Sequence, residues 1–414
     1  MRPKNLPVPR GREVAPTLTA LRSFICIAVT VPVLLTSVVA GPPVVRPLDF
    51  ARGRPTPVYV PLHKGSIDLA TGLYIRVNED LVVQGTPLLA LQRTYVSGHR
   101  ASYDFGIGAT HSGEDYLIGD GEQFQWAALI LARGTRITFK RVTPGATLLN
   151  ARFEHEETAT EWNGAQLSWT LSNWTLKKRD GSVLLFRACG KESVCSIIQS
   201  TDAHGRTVHY RRNSAGRLLK MEAAKDRWIA LDYNSEGRIE RAYDSVKREV
   251  RYKYDARGRL ERVIGSDGSV RRYTYTDLDE LESIEEPGAS ITNTYEDGRC
   301  VRQANWYPDR DPYVFEVKYQ IDGRRVHRTR ISESNGTWRE YAWDDRKTSV
   351  SETFGRQGSE PILVMFERDP VSRRMTSLTI SCRDRKGLPV RQATDVRKGE
   401  EELLKRALVQ KYCS

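Results

Sequence analysis

The sequence has few features that point to chemistry. It contains no Gly-x-Ser-x-Gly elbow, no phosphate-binding loop, no His-Glu-x-x-His motif and no dinucleotide-binding fingerprint. Its six cysteines and seven histidines form no Cys-x-x-Cys pair and no Cys/His cluster with the spacing of a zinc site. We therefore expect no catalytic residue, no cofactor and no metal, and a protein that is not an enzyme.

Charge of one sign is also scarce. The formal net charge is +12 over 414 residues, and the first 40 residues contribute four of these charges. Stacked arginines could attract anionic glycans or nucleic acid, but on the edges and outer face of a sheet they prevent aggregation. We favour the second role because Asp and Glu are interleaved with the arginines, and we expect no nucleic-acid partner. The arginine pairs are Arg211-Arg212, Arg271-Arg272, Arg324-Arg325 and Arg373-Arg374.

Residues 1–40 have the layout of a secretory signal peptide. A basic segment ends at Arg22, the stretch 23–35 is almost entirely apolar, and small residues precede Gly41. An uncleaved membrane anchor is the alternative, but the apolar stretch contains Pro32 and is shorter than the ~20 residues of a membrane span. We predict cleavage before Gly41 and export to the periplasm, cell surface or medium, with membrane contact only through this leader.

Cysteine usage agrees with export, because disulfides persist in oxidising compartments. Cys189 and Cys195 flank five residues, a spacing that a turn can close into a disulfide. Cys382 and Cys413 could pair and hold the C-terminus, which would leave Cys300 without a partner. Five buried thiols in the mature chain are the alternative.

A tyrosine recurs at nearly constant intervals through the second half of the chain. Successive copies are 23, 21, 21, 20 and 24 residues apart, and Gly-Arg follows most of them within three to six residues. A fixed period of this length indicates a repeat array. The repeated tyrosines are Tyr210, Tyr233, Tyr254, Tyr275, Tyr295 and Tyr319, and the repeated glycines are Gly216, Gly237, Gly258, Gly298 and Gly323.

Each period has the pattern of a β-hairpin. Apolar and charged residues alternate over 250–254, which predicts a strand with one apolar face. Asp255 and Gly258 then supply a turn, and Asp267-Gly268 supplies a second one. Because an isolated hairpin is marginal in water, the units must stack to bury their tyrosines.

This repeat resembles the YD repeat of RHS proteins, bacterial relatives of the shells that enclose toxins in insecticidal toxin complexes. The resemblance covers 177–380, although Asp279-Glu280 replaces Gly-Arg after Tyr275. It implies an all-β fold, a long curved antiparallel sheet of YD-type hairpin repeats preceded by a β-rich N-terminal domain. Full toxins of this kind release a C-terminal toxic domain near an Asp-Pro-x-Gly motif. Here Asp369-Pro370 is followed by Val371 and Ser372, so the glycine of the motif is missing, and little chain remains beyond it. We therefore expect neither self-cleavage nor a toxin domain.

The segment before the repeats resembles the domain that precedes YD repeats in RHS proteins. After a proline-rich linker at 41–62, the β-rich region 63–176 contains a Thr71-Gly72 turn, an Arg93-x-Tyr95 strand and a Phe105-Gly-x-Gly loop in the expected order. Ala109 stands where such proteins usually have tryptophan. This part of the resemblance implies that a DUF6531-like domain lies on the N-terminal side of the array.

Three further segments carry local signals. Alternation over 167–176 predicts one strand whose tryptophans cap the first repeat, whereas the apolar run 124–131 fits a strand or a short helix. In the tail 381–414, the segment 400–412 predicts a short amphipathic helix. Its apolar side would carry Leu403, Leu404, Ala407 and Leu408.

Two histidines lie beside acidic residues and could assemble an acid/base site. His111 precedes Glu114 and Asp115, and His155 lies between Glu154 and the pair Glu156-Glu157. Isolated histidines beside acids on a charged surface are usually only solvated, and we favour that interpretation. The acids at turn positions, including Asp255, already have a structural role.

The leading function hypothesis is therefore an exported, non-catalytic β scaffold or binding module without a toxin domain. Its partner would be an unknown protein or glycan. A carbohydrate-binding surface protein is the alternative, and a glycan-acting enzyme with two inward carboxylates is a further one. Sixteen repeat strands closed into a ring would leave a lumen of only about 14 Å. We expect an open, curved sheet that does not enclose a globular passenger.

Overall fold

The computed structural model describes most of the chain beyond the leader. The predicted signal peptide and nearly all of the predicted linker lie outside the described residues. None of the helical residues within the described part forms a segment long and apolar enough to cross a membrane. The described ranges are 62–63, 66–119, 125–132, 134–148, 150–155, 161–170, 172–189, 194–223, 226–323, 325–370, 374–384, 386–396 and 400–413.

The described residues form antiparallel β structure with one short helix, which confirms the all-β prediction. Seven strands precede the main sheet: β1 (Leu62–His63), β2 (Ile67–Asp68), β3 (Ile75–Val83), β4 (Leu89–Val96), β5 (Ser102–Tyr103), β6 (Gly106–Ile107) and β7 (Ala109–His111). Eight strands follow: β8 (Tyr116–Gly119), β9 (Trp126–Ile130), β10 (Arg136–Arg141), β11 (Arg152–His155), β12 (Ala165–Thr170), β13 (Asn173–Lys177), β14 (Val183–Arg187) and β15 (Cys195–Thr201).

The remaining strands carry the repeats and the C-terminal region. They are β16 (Thr207–Arg212), β17 (Leu218–Ala223), β18 (Arg227–Tyr233), β19 (Ile239–Asp244), β20 (Glu249–Tyr254), β21 (Leu260–Ile264), β22 (Val270–Tyr275), β23 (Leu281–Glu286), β24 (Ala289–Glu296), β25 (Arg299–Tyr307), β26 (Arg310–Asp322), β27 (Arg325–Glu333), β28 (Thr337–Trp343), β29 (Ser349–Arg356), β30 (Ile362–Arg368), β31 (Met375–Arg383) and β32 (Pro389–Asp395). Helix α1 (Glu401–Tyr412) follows.

The main sheet closes on itself before the tyrosine repeats begin. Strands β8 to β15 pair in sequence order, and β15 pairs with β8 through Cys195 opposite Leu117 and Ser196 opposite Tyr116. The expectation of an open sheet is therefore wrong for this ring. The estimate considered only the repeat strands, whereas the closing pair joins segments almost 80 residues apart that carry no tyrosine repeat. From β15 the sheet continues into β16 and the repeats.

Each repeat hairpin contains a register shift next to its tyrosine position. The shift falls between Lys253 and Tyr254 in β20, and between Thr274 and Tyr275 in β22. The same irregularity recurs in the hairpins that start at β16, β18, β24, β26, β28 and β30. A bulge bends its strand and increases the local twist. One bulge in each period therefore accounts for the curvature of the repeat sheet.

The inner face of the repeat sheet, which carries Tyr252, Tyr273 and Phe315, is covered by the chain's own N-terminal region. Residues of β2 to β7, among them Tyr74 and Leu91, share one buried core with the repeat strands. All six repeat tyrosines pack against this core. The N-terminal region thus supplies the apolar surface that the stacked hairpins need in order to bury their tyrosines.

The ring has a separate core that crosses the predicted domain boundary at residue 176. Leu167 and Trp174, which precede this position, pack with Phe186, which follows it. The single strand predicted over 167–176 is wrong, because β12 and β13 form a hairpin in which Trp169 lies opposite Trp174. The sequence of this turn contains no glycine, proline or Asn-Gly pair. The alternation of apolar and polar residues therefore predicted one continuous strand across it. The ambiguous run 124–131 contains strand β9.

Helix α1 confirms the predicted C-terminal helix, but its buried side is shifted. Leu404, Leu408 and Val409 pack against buried residues of β30 and β31, whereas Leu403 is 73% exposed. A disulfide joins Cys413, just after α1, to Cys382 on β31. Lys405 adds an ion pair to the buried Glu352 of β29, at 2.8 Å. These contacts hold the helix on the last strands of the sheet.

Candidate functional site

Five of the six repeat tyrosines, all but Tyr210, link their hairpin to the preceding one. In every link, the tyrosine hydroxyl donates a hydrogen bond to the backbone carbonyl that follows the preceding Gly-Arg or its equivalent. The donors and acceptors are Tyr233 to Leu218 (2.7 Å), Tyr254 to Ile239 (2.6 Å), Tyr275 to Leu260 (2.8 Å), Tyr295 to Leu281 (2.8 Å) and Tyr319 to Cys300 (2.7 Å). The period of the sequence is therefore also the period of a hydrogen-bonded contact.

The Gly-Arg pair completes the same link. The guanidinium of Arg238 lies over the ring of Tyr254, 5.6 Å from its centroid, a favourable cation–π arrangement. Gly258 has φ +80°, and a Cβ there would lie 2.2 Å from the Arg238 guanidinium. A side chain at Gly258 would be strained and would displace the stacked arginine. The glycine is thus required for its backbone conformation, and it also leaves room for the stacked arginine.

Removing one tyrosine hydroxyl tests this link. Tyr254→Phe should lower the free energy of unfolding by about 1–2 kcal/mol, because the Ile239 carbonyl loses its donor in a buried setting. Tyr243→Phe, on the outer face, should change stability by less than about 0.5 kcal/mol. Urea denaturation of the two variants measures the difference. Equal effects would mean that the repeated hydrogen bond does not stabilise the array.

The motifs of the N-terminal region contact the inner face of the repeat sheet. The carbonyl of Gly72 accepts a hydrogen bond from the Cys300 amide at 2.9 Å. The hydroxyl of Tyr95 accepts one from the Leu281 amide at 2.9 Å. A Cβ on Gly106 would lie only 2.5 Å from the Gly258 carbonyl oxygen. These residues belong to the three motifs quoted above, so each motif is a docking contact with a repeat.

A buried ion pair connects the same two layers. Arg93 on β4 binds Asp80 with two nitrogens, at 2.9 and 3.2 Å, and its Nη2 donates to the Tyr273 hydroxyl at 3.1 Å. The Tyr252 hydroxyl donates to Asp80 at 2.9 Å. Asp80 is the unpaired residue of a bulge between Glu79 and Leu81, and a bulge can re-aim a side chain. Sequence reasoning missed Asp80, because only the register of β3 with β4 shows this bulge.

Beside this layer, three titratable side chains of the N-terminal region meet. His111 is fully buried, and its Nε2 lies 3.4 Å from Asp104 Oδ2 and 3.7 Å from Glu114 Oε1. The Tyr233 hydroxyl, whose one proton is shared with the Leu218 carbonyl, lies 3.0 Å from Asp104 Oδ2. Glu114 Oε2 accepts one from the His111 amide, also at 3.0 Å. His111 and Glu114 are thus brought together, as the sequence allowed, and the solvated surface interpretation is wrong for them. Sequence reasoning missed Asp104.

Burial dominates the electrostatics of this cluster. It raises the pKa of Glu114 to about 7, although His111 opposes the shift. Burial disfavours the imidazolium of His111, but Glu114 and Asp104 outweigh it, so the pKa of His111 is raised. Arg212 lies nearby, but its Nε, Nη1 and Nη2 donate hydrogen bonds to the backbone carbonyls of Ile197, Gly216 and Gly113, respectively. Arg212 therefore acts on the carboxylates through its charge, and His111 Nε2 is hydrogen-bonded to Asp104 Oδ2.

A cavity of about 260 Å³ adjoins the cluster and is lined by Asp104, Glu114 and Asp115. Asp115 itself holds the Ala132 amide, at 3.0 Å, so it supports the cavity wall. The second histidine expected beside acids, His155, is buried and bonds the Thr138 carbonyl at 2.6 Å. Glu156 and Glu157 lie outside the described residues. The cluster around His111 is thus a candidate site, and His155 is a structural residue of the ring.

The cysteines form two pairs in the structure. Cys189 and Cys195 are disulfide-bonded between β14 and β15, next to the strand pair that closes the ring. Cys300 is a buried free cysteine, and burial raises the pKa of its thiol to about 12, which makes it unreactive. The oxidation state of these cysteines in exported protein stays a prediction.

Comparison with family models identifies both parts of the chain. Residues 191–378 match the Teneurin YD-shell, and residues 64–139 match the domain of unknown function DUF6531. The chain therefore contains a YD-shell segment of the RHS/YD type and a DUF6531 segment on its N-terminal side, as the sequence resemblance implied. No curated protein matches the sequence.

Solved structures of toxin-complex components resemble the chain at low identity. A crystal structure of TcdB2-TccC3 is 9% identical, with a TM-score of 0.34, and the match covers 78% of this chain and 22% of that one. The Tc holotoxin pore of Photorhabdus luminescens is 10% identical, with a TM-score of 0.33, and the match covers 80% and 22%. The chain thus spans about a fifth of the length of these structures.

Proposed function

We propose that this chain is an exported, non-catalytic YD-repeat scaffold that binds a protein or glycan partner without enclosing a toxin. The observation that carries the proposal is the shared core of the N-terminal region and the repeats. A shell that holds a passenger must leave its inner face available. Here Tyr74, Leu91 and Phe105 of the N-terminal region occupy that face, so partners would meet the outer face or the edges.

The outer face has the character of a solvated surface. Arg241 pairs with Asp232 at 2.6 Å and with Glu249 at 3.3 Å, and Arg211 pairs with Glu222 at 2.9 Å. Exposed pairs of this kind add little stability, but they leave little net field for nonspecific binding of polyanions. This pattern favours a partner recognised by shape and local contacts over a nucleic acid.

Purification from an expressing bacterium tests the proposal. The protein recovered outside the cytoplasm should begin at Gly41, contain the Cys189–Cys195 disulfide and have the native mass of the chain alone or of whole copies of it. N-terminal sequencing, non-reducing peptide mapping and native mass spectrometry measure these properties. A second polypeptide that copurifies and resists protease until the chain is unfolded would contradict the proposal, since it would be an enclosed passenger.

One observation favours the glycan-acting alternative. Oxygens of Asp104 and Glu114 lie within 4.8 Å of each other at the cavity, and retaining glycosidases use two carboxyl groups about 5–5.5 Å apart. Both carboxylates accept hydrogen bonds from the chain itself, from Tyr233 and from the His111 amide, which suits a structural role better. Glycan hydrolysis by the purified chain that Glu114→Gln abolishes would replace the scaffold proposal by the enzymatic one.

A further inference from the structure

The donor atoms of the His111 cluster have the spacing of a metal site. His111 Nε2 lies 3.4 Å from Asp104 Oδ2 and 3.7 Å from Glu114 Oε1, and all three donor atoms lie within 4.8 Å of one another. An N–H···O hydrogen bond is shorter, at about 2.7–3.2 Å. Ligands about 2.0–2.1 Å from a tetrahedral zinc are about 3.3 Å apart. The separations therefore fit ligands around an ion, and in the metal-free chain the shorter one is also a hydrogen bond between His111 Nε2 and Asp104 Oδ2.

The surroundings hold the two carboxylates in place and leave one side accessible. The Tyr233 hydroxyl, which shares its proton between the Leu218 carbonyl and Asp104 Oδ2, contacts this carboxylate, and the His111 amide holds Glu114 Oε2, so Glu114 Oε1 is left for a ligand. Such supporting hydrogen bonds orient the ligands of protein metal sites. The cavity of about 260 Å³ lined by Asp104 and Glu114 provides room for a water molecule as a fourth ligand.

The charge of the cluster also calls for a cation. Two carboxylates and an imidazole meet in a largely buried position, where the side chains of Asp104 and Glu114 are 17% and 18% exposed. Arg212 directs its nitrogens at backbone carbonyls and not at the carboxylates. His111 and the charge of Arg212 offset part of this negative charge, and a divalent cation in contact with both carboxylates would balance it directly.

We propose that Asp104, His111 and Glu114 form a zinc site that joins the DUF6531 domain to the first repeats. A mixed imidazole and carboxylate set suits zinc, whereas calcium and magnesium prefer oxygen ligands only. The link to the repeats runs through Tyr233 on β18, which contacts Asp104 at 3.0 Å. The ion would thus fix the loop between β5 and β6 and the turn after β7 against the repeat sheet.

Binding requires one local change. The Gly113 amide lies 3.1 Å from His111 Nδ1, so the neutral imidazole of the metal-free chain has its proton on Nε2. Zinc at Nε2 needs the proton on Nδ1, and the Gly113 hydrogen bond would be lost. One neutral hydrogen bond is small beside the free energy with which proteins bind structural zinc. The turn at Gly113 would move slightly away from the imidazole of His111.

Zinc titration of the full exported chain, after dialysis against a chelator, tests the proposal. Calorimetry should show one zinc bound per chain with a dissociation constant in the micromolar range or below, and zinc should raise the melting temperature. Glu114→Gln keeps the acceptor for the His111 amide and should fold, but it should bind zinc at least about 100-fold more weakly. His209→Gln, which alters a histidine of β16 outside the cluster, should bind like the wild type.

Cobalt supplies an independent readout. The wild-type chain should give the visible absorption of tetrahedral cobalt, and Glu114→Gln should not. Asp104→Asn replaces Glu114→Gln if the latter does not fold, with the same expectation. Zinc binding that is absent, or equally tight in the wild type and in the folded cluster variant, would overturn the proposal. The cluster would then be a hydrogen-bonded contact only.

Discussion

Arg93→Met should lower the free energy of unfolding by about 3–5 kcal/mol, the largest single loss that we expect. Arg93 is 2% exposed, and the side chain of its partner Asp80 is fully buried. Methionine fills much of the same space, so the loss comes from the charge of Asp80, which keeps the Tyr252 hydroxyl as a donor. Tyr273 also loses its contact with the guanidinium. Urea denaturation followed by tryptophan fluorescence measures the change.

A double variant separates charge from packing. Arg93→Met combined with Asp80→Leu removes both charges, and most of the lost stability should return, since apolar pairs often replace buried ion pairs without cost. A double variant as unstable as Arg93→Met would show that packing, and not the uncompensated carboxylate, causes the loss. A loss below about 1 kcal/mol in Arg93→Met would show that the pair does not hold the two layers together.

Gly106→Ala should cost about 3 kcal/mol or more. Gly106 has φ +90°, and a Cβ there would lie 2.5 Å from the Gly258 carbonyl oxygen and 3.4 Å from the Tyr254 ring. The left-handed conformation alone costs an alanine about 1–2 kcal/mol. The contact with backbone adds an overpacking cost of about 1–3 kcal/mol, because a carbonyl in a hydrogen-bonded turn cannot move aside as a flexible side chain can. The measurement is again urea denaturation.

Gly268→Ala is the matched control. Gly268 has φ +79°, but nothing lies within 4 Å of a Cβ built on it. This substitution should therefore cost only the conformational part, about 1–2 kcal/mol. If Gly106→Ala and Gly268→Ala lose the same stability, the Phe105-Gly106 loop is not docked on the repeat turn at Gly258.

The repeat array could be predicted from the sequence because its signals are local. The tyrosine period, the glycines at positive φ such as Gly258, and the alternation over 250–254 each act within one hairpin. The degenerate copy at Asp279 also has a residue at positive φ in its turn. Asp279 takes φ +64° in place of glycine, and aspartate tolerates this region better than most residues.

The contacts between layers could not be predicted, because they join distant segments. Nothing near Asp80 indicates that it will meet Tyr252, and nothing near Gly106 indicates Gly258. Both surfaces are apolar, and apolar periodicity identifies a buried face without identifying what covers it. The same limit applies to Asp104, which reaches His111 through an irregular loop, and to the pairing of Cys195 with Leu117 that closes the ring.

The central claim is that the N-terminal region covers the tyrosine face of the repeats, and tyrosine nitration of the native chain tests it most directly. Tyr252 and Tyr273 are 4% and 5% exposed, and they should stay unmodified in a sample that contains no other polypeptide. The partly exposed Tyr243 and Tyr307 should react, and peptide mass spectrometry reads each position. Nitration of Tyr252 and Tyr273 as fast as that of Tyr243 would show an uncovered inner face and would contradict the account.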